Sequence, residues 1–116
     1  MSITNLESLS VNDLTTTYDV SGGAKSFKVP VKHSITYSLQ IIWTNMNAND
    51  ASIQLQGSNN DIDFDDLPDD SLKVLDSASD SHSFVDRLFD HTNFAVNFDP
   101  GTATTGTLIL LFKPRI

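Results

Sequence analysis

A chain of 116 residues without cysteine is long enough to bury one hydrophobic core and contains no disulfide, thiolate metal site or cysteine nucleophile. Its formal net charge of −8 argues against nucleic acid as a partner, because phosphate binding requires clustered lysine and arginine. The longest apolar run, residues 108–112, has the length of a strand, so we expect no membrane span.

Residues 1–14 predict an extended arm in front of a single domain formed by residues 15–116. The apolar side chains of Ile3, Leu6 and Leu9 fit neither the helical nor the strand period. We expect such an arm to pack either across its own domain or on a neighbouring subunit, and we take these three side chains as candidate interface residues.

The next two segments are predicted strands. Residues 15–20 are rich in β-branched side chains and end at a Ser-Gly-Gly turn. Residues 26–32 alternate between apolar and polar side chains. Pro30 lacks an N–H group and therefore places this strand at a sheet edge.

The clearest strand covers residues 35–43, where apolar side chains occupy alternate positions and Ile42 is the one exception. A helix would scatter these apolar groups around its circumference, so the pattern predicts a central strand. After a turn at residues 45–50, residues 52–57 alternate again and predict a second strand.

The signal is weaker from residue 68 onward. Residues 72–75 predict a short strand, residues 76–81 a polar loop, and residues 83–88 either a strand or a turn of helix. Residues 94–98 alternate, and residues 107–113 form the last strand. Because this strand is apolar at consecutive positions, we expect both of its faces to be covered, with Ile109 and Leu111 as further candidate interface residues.

These elements predict an all-β fold, an antiparallel β-sandwich or single jelly roll of seven to nine short strands with an extended N-terminal arm.

An acidic turn follows the two clearest strands. Asp61, Asp63 and Asp65 present alternate carboxylates of the kind that Ca²⁺ requires. The spacing departs from the helical calcium loop, since Asp66 stands at its glycine position and Leu72 at its final glutamate. The alternative is a solvated turn in which Asp and Asn accept hydrogen bonds from backbone N–H groups.

Other chemistry is not indicated by spacing. A carboxylate pair for glycoside hydrolysis cannot be singled out from so many acids, and His33, His82 and His91 form no ligand pair. Trp43 and Tyr37 share the inward face of their strand, so we expect core aromatics there. The remaining candidate ligand contacts are three outward glutamines: Gln40, Gln54 and Gln56.

The passages YSLQIIWT (37–44), SIQLQGSNND (52–61), FDDLP (64–68) and NFAVNF (93–98) resemble small β-sandwich virion proteins of bacteriophages. The resemblance covers residues 26–113. One departure is Asn60-Asp61, where an Asn-Asp-Gly turn is commoner, and another is the extra acidity after Asp61.

The resemblance implies a non-enzymatic structural protein of the virion, assembled in the host cytoplasm, of the decoration, cement, head-fibre, vertex or penton type. It implies contacts with the major capsid protein or other virion proteins and a homo-oligomer, a trimer or pentamer. It supplies no catalytic residue and no cofactor. The alternative function is a carbohydrate- or receptor-binding module that uses loops at one end of the sandwich.

Overall fold

The computed structural model describes residues 14–30, 36–68, 70–88 and 93–115. Within them the chain is all-β, with one short 3₁₀ turn at Val20–Gly22. The nine strands are β1 (Leu14–Asp19), β2 (Lys25–Pro30), β3 (Thr36–Thr44), β4 (Ala51–Ser58), β5 (Asp65–Asp66), β6 (Leu72–Leu75), β7 (Asp80–Leu88), β8 (Asn93–Asp99) and β9 (Thr107–Arg115).

The strands form two antiparallel sheets, one in the order β1-β9-β3-β7 and the other in the order β2-β8-β4-β5, with β6 also paired to β4. The pairing is nested: β1 pairs with β9, β2 with β8, β3 with β7, and β4 with β5 and β6. The chain is therefore a long antiparallel ribbon rolled into two facing sheets, which is the topology of a single jelly roll. The predicted fold class is confirmed.

The core lies between the sheets and is supplied by alternate residues of the long strands. In β3, Tyr37, Leu39, Ile41 and Trp43 are at most 1% exposed, whereas Thr36, Ser38, Gln40, Ile42 and Thr44 point away from the core. Opposite them, Ile53 and Leu55 of β4 are completely buried. The strict alternation read from residues 35–43 thus describes a central strand, as predicted.

The strand pairing defines the structure of residues 80–88 and the position of Pro30, where the sequence pattern is weak. Residues 83–88 belong to the nine-residue edge strand β7, which begins at Asp80, inside the segment predicted as a polar loop. The period of two fails in β7 because of a β-bulge: Leu39 pairs with Phe84 and Tyr37 pairs with Arg87, so one extra residue lies on β7. Pro30 ends β2 at the edge of its sheet, as expected.

One end of the sandwich is closed by the β3–β4 and β8–β9 connections, which are hydrogen-bonded to each other. The Asp50 carboxylate, after β3, accepts hydrogen bonds from the backbone N–H and the hydroxyl of Thr102, after β8. The side chain of Asn47 accepts the Thr104 N–H at 2.8 Å and donates to the Thr104 hydroxyl. Gly101 has a φ of +58°, and a Cβ there would lie 2.6 Å from the Asp50 carbonyl oxygen, so only glycine fits this approach.

The connection from β6 to β7 is fixed against the end of β3. The indole N–H of Trp43 donates to the Ser77 carbonyl at 3.0 Å, and the Met46 N–H donates to the Ala78 carbonyl at 2.9 Å. The buried aromatic predicted at Trp43 therefore also anchors the crossing from one sheet to the other.

Core packing predicts a large difference between two chemically identical substitutions. Ile53→Ala removes a fully buried side chain and should lower the free energy of unfolding by about 2–5 kcal/mol. Ile62→Ala changes a side chain that is 80% exposed and should shift it by no more than about 0.5 kcal/mol. Urea unfolding of both variants gives the comparison, and equal effects would contradict the core assignment.

The Asp50 contact predicts a pH dependence of stability. Its hydrogen bonds from the Thr102 backbone N–H and hydroxyl lower the pKa of the Asp50 carboxyl below its ordinary value. The stability contributed by the ionised group is present above that ordinary value, near pH 4, and is lost as the pH falls through the lowered pKa. Asp50→Asn should therefore flatten the fall in melting temperature between about pH 5 and pH 2.

A second carboxyl, that of Asp19, also contributes to the loss of stability at acidic pH. The Ser21 backbone N–H lowers the pKa of Asp19 as well, so Asp50→Asn should retain part of the acid-side loss. An Asp50→Asn curve parallel to that of the wild type across this range would overturn the role given to Asp50.

Candidate functional site

The outward surface of the four-stranded sheet, called here the outer face, is the candidate contact site. Alternation in β3 and β9 brings Ile42 beside Ile109 and Gln40 beside Leu111 across the two central strands. Thr15 and Thr17 of β1 extend this surface on one side, since they pair with Leu111 and Ile109. Ser81 and Ser83 of β7 extend it on the other side, opposite Ile42 and Gln40.

The centre of the outer face is apolar but only partly covered. Ile42, Ile109 and Leu111 are half-buried, and Val85 at the β7 edge is 60% exposed. A shallow groove of about 370 Å³ runs beside them and includes Ser38, Gln40, Leu111 and Val85 among its walls. This surface combines apolar contact area with neutral hydrogen-bonding groups.

The middle of the outer face carries no charge among the described residues. Lys113 lies at one end of the face and Asp19, which pairs with Thr107, at the other. The chain as a whole has a formal charge of −8. Because desolvating charges opposes association, the cores of protein interfaces are depleted of charged side chains, and this surface has that property.

Two of the five predicted interface residues lie on the outer face. Leu108, Leu110 and Phe112 point into the core, and Ile109 and Leu111 point outward. The run of consecutive apolar residues thus reflects one buried face and one half-covered face. Ile3, Leu6 and Leu9 lie outside the described residues, and their assignment stays a prediction.

Sequence reasoning missed Val85 as a member of this surface. The β7 bulge breaks the alternation that would have shown its direction. Ile42 left a visible sign, because it was the one apolar exception on the polar side of a regular strand.

The acidic turn lies against the other sheet. Lys28 of β2 contacts it in two ways, with its ammonium 3.4 Å from the Asp61 carboxylate and 5.1 Å from the centre of the Phe64 ring. Ala95 of β8, which pairs with both Lys28 and Gln56, is fully buried although it points outward. The acidic turn therefore covers the part of this sheet around Lys28, whereas Leu72 and Val74 of β6 remain exposed on the same side.

The turn is held by side-chain hydrogen bonds to its own backbone. The Asn60 amide oxygen accepts the N–H groups of Ile62 and Asp63 at 3.0 and 2.9 Å. The buried Ser58 hydroxyl accepts the N–H groups of Asn60 and Asp61. This is the arrangement expected of a turn capped by Asn and Ser.

The three carboxylates proposed for Ca²⁺ have separate surroundings. Asp61 faces Lys28, Asp63 accepts a hydrogen bond from the Asn60 amide at 2.9 Å, and Asp65 begins β5. No group of three or more His, Asp or Glu side chains suited to holding a metal ion occurs in the described residues. The calcium site stays a prediction.

The remaining sequence candidates divide between core and surface. Trp43 and Tyr37 are buried, as predicted. Gln56 donates to the Asp66 carboxylate and Gln54 to the Leu55 and Leu67 carbonyls, whereas Gln40 is exposed on the outer face. His82 lies half-buried on β7, and His33 and His91 lie outside the described residues.

Asn60→Ala should loosen the acidic turn. The substitution removes the acceptor of the Ile62 and Asp63 N–H groups, so these two amides should exchange with deuterium faster and the free energy of unfolding should fall by about 1 kcal/mol. Asn49→Ala, the same substitution at an exposed asparagine outside the turn, serves as the comparison. Unchanged exchange at both amides in Asn60→Ala would contradict this account of the turn.

No helix in the described part of the chain is long and apolar enough to cross a membrane. Comparison of the chain with protein-family models and with curated protein sequences gave no match.

Proposed function

We propose that the chain is a non-enzymatic structural protein of a bacteriophage virion, which binds the capsid lattice or its own copies through the outer face. Its partners are then the major capsid protein or other virion proteins, in a homo-oligomer such as a trimer or pentamer. It would be assembled into the particle in the host cytoplasm. The step to a bacteriophage rests on the sequence resemblance of residues 26–113.

The outer face is the single observation that carries the contact role. Its centre consists of half-buried Ile42, Ile109 and Leu111 with uncharged Ser, Thr and Gln side chains around them, and exposed Val85 lies toward the end where Lys113 also lines the groove. Such a surface loses little on desolvation and gains from apolar burial when a second protein covers it.

The fold is compatible with this role but does not by itself establish it. Double-sheet jelly rolls serve in viral capsids and also in lectins, so the architecture by itself does not separate the capsid role from carbohydrate binding. Two of the three glutamines considered for ligand contact, Gln54 and Gln56, hold residues 66 and 67 in place. The contact role is therefore favoured over the carbohydrate-binding alternative.

The proposal predicts opposite outcomes for two matched valine substitutions. Val85→Asp places a charge on the outer face and should weaken self-association or capsid binding by roughly thirtyfold or more, the effect of losing an interface hot spot. Val74→Asp makes the same change at a residue 45% exposed on β6 of the other sheet, and it should leave binding unchanged. Both variants should keep the wild-type melting temperature within a few degrees.

Sedimentation velocity over a wide concentration range and co-sedimentation with capsids of the phage that encodes the chain measure these effects. A folded wild-type protein that stays monomeric and leaves capsids unbound would refute the proposal. A glycan-array signal that is lost in an Asp61→Asn/Asp63→Asn double variant would establish the carbohydrate-binding alternative in its place.

A further inference from the structure

The second surface of interest is a cleft at the open side of the sandwich, between the edge strands β6 and β7. No described strand joins the two sheets here, since β6 pairs only with β4 and β7 only with β3. The cleft has a volume of about 460 Å³, which is within the range of small-ligand sites. Its walls include Lys73 from one sheet and His82, Phe84 and Arg87 from the other.

The β7 bulge is what aims Arg87 into this cleft. In a regular strand Phe84 and residue 87 would point to opposite sides, but the extra residue pairs Arg87 with inward-facing Tyr37, just as Phe84 pairs with inward-facing Leu39. The Arg87 guanidinium consequently lies 5.5 Å from the centre of the Phe84 ring. His82 packs edge-on against the same ring, with the ring centres 4.8 Å apart.

The cleft concentrates positive charge in an acidic protein. Two of the seven lysines and arginines of the chain, Lys73 and Arg87, line it together with His82. Among the residues whose side chains the structure describes, the one carboxylate in its walls belongs to exposed Asp70, whose backbone carbonyl accepts a hydrogen bond from the Arg87 guanidinium at 2.6 Å. Lys73 is half-buried and forms no ion pair with any described residue.

We propose that the cleft between β6 and β7 binds an oxyanion, a phosphate or carboxylate group, through Lys73, His82 and Arg87. A planar guanidinium offers a fork of N–H donors to such a group, and the lysine and the imidazole add donors from opposite sheets. The Phe84 ring supplies an apolar wall beside these donors. The cleft shares Ser83 and Val85 with the groove of the outer face, but the oxyanion proposal does not depend on the contact role.

The protonation of His82 supplies an independent readout. Burial lowers the pKa of His82 below its ordinary value, and the nearby charges of Lys73 and Arg87 lower it further. Within the described part of the chain, the charged groups that line the cleft with it are these two cations and Asp70. A bound oxyanion offsets the two positive charges and raises the pKa of His82, so by linkage the anion binds more tightly as the pH falls through that range.

The test follows the His82 ring signals by NMR while sulfate or acetate is added, with chloride at equal ionic strength as the reference. His82→Gln identifies the signals. Sulfate remains fully ionised from pH 5 to 8, so any change in its affinity over that range reports the protein. We expect saturable shifts and a higher His82 pKa in the presence of the anion. Stronger binding of sulfate than acetate indicates a phosphate ligand, and the reverse indicates a carboxylate.

Charge-matched variants locate the site. Lys73→Gln and Arg87→Gln should each weaken binding roughly tenfold, as expected for losing a charge-assisted hydrogen bond, whereas Lys25→Gln, on the opposite edge strand β2, should change it less than twofold. Arg87→Lys retains the charge and should bind at an intermediate level.

Amide NMR spectra establish whether each variant is folded. If Arg87→Gln unfolds, the comparison of Lys73→Gln with Lys25→Gln tests the proposal by itself. His82 signals that respond to sulfate and acetate no more than to chloride would overturn the proposal. An equal loss of binding in Lys25→Gln and Lys73→Gln would also overturn it.

Discussion

The antiparallel register between β3 and β9 is the constraint on which the other surfaces of the molecule depend. It pairs Leu39 with Phe112 and Ile41 with Leu110 on the core side, and therefore Gln40 with Leu111 and Ile42 with Ile109 on the outward side. A slip of one residue would exchange these sets, exposing core aromatics and burying Gln40. The burial of Tyr37, Leu39, Ile41 and Trp43 thus fixes the composition of the outer face as well as the core.

Much of this arrangement can be read from the sequence because it is local. The period of two in residues 35–43, 52–57 and 94–98 predicts strands and their buried sides, and the apolar run at residues 108–112 indicates that Ile109 and Leu111 lie on a second, partly covered face. The sequence pattern does not distinguish strand from helix at residues 83–88, because the bulge in β7 places Phe84 and Arg87 on the same side and removes the alternation. Sequence analysis has no rule that locates such an insertion without knowing the partner strand.

The oxyanion cleft was out of reach from sequence for a different reason. Lys73 and His82 belong to different sheets, and they meet only because the rolled-up ribbon places β6 and β7 at the same open side. In the sequence, His82 is a histidine in a polar segment without a ligand partner. The property that distinguishes it, its position between Lys73 and Arg87, is created by the fold.

The acidic turn places negative charge on one side of the sandwich, and this bears on the proposed association. It covers the part of the five-stranded sheet where Lys28 contacts Asp61 and Phe64, and it brings several carboxylates to that side of the molecule. Two such sides would repel each other at low ionic strength, and a partner approaching there would have to desolvate charges. The centre of the outer face differs, because Gln40, Ile42, Ile109 and Leu111 are uncharged, and Asp19 and Lys113 lie toward its two ends. This difference in charge supports the proposed association through the outer face over association through the side that carries the acidic turn.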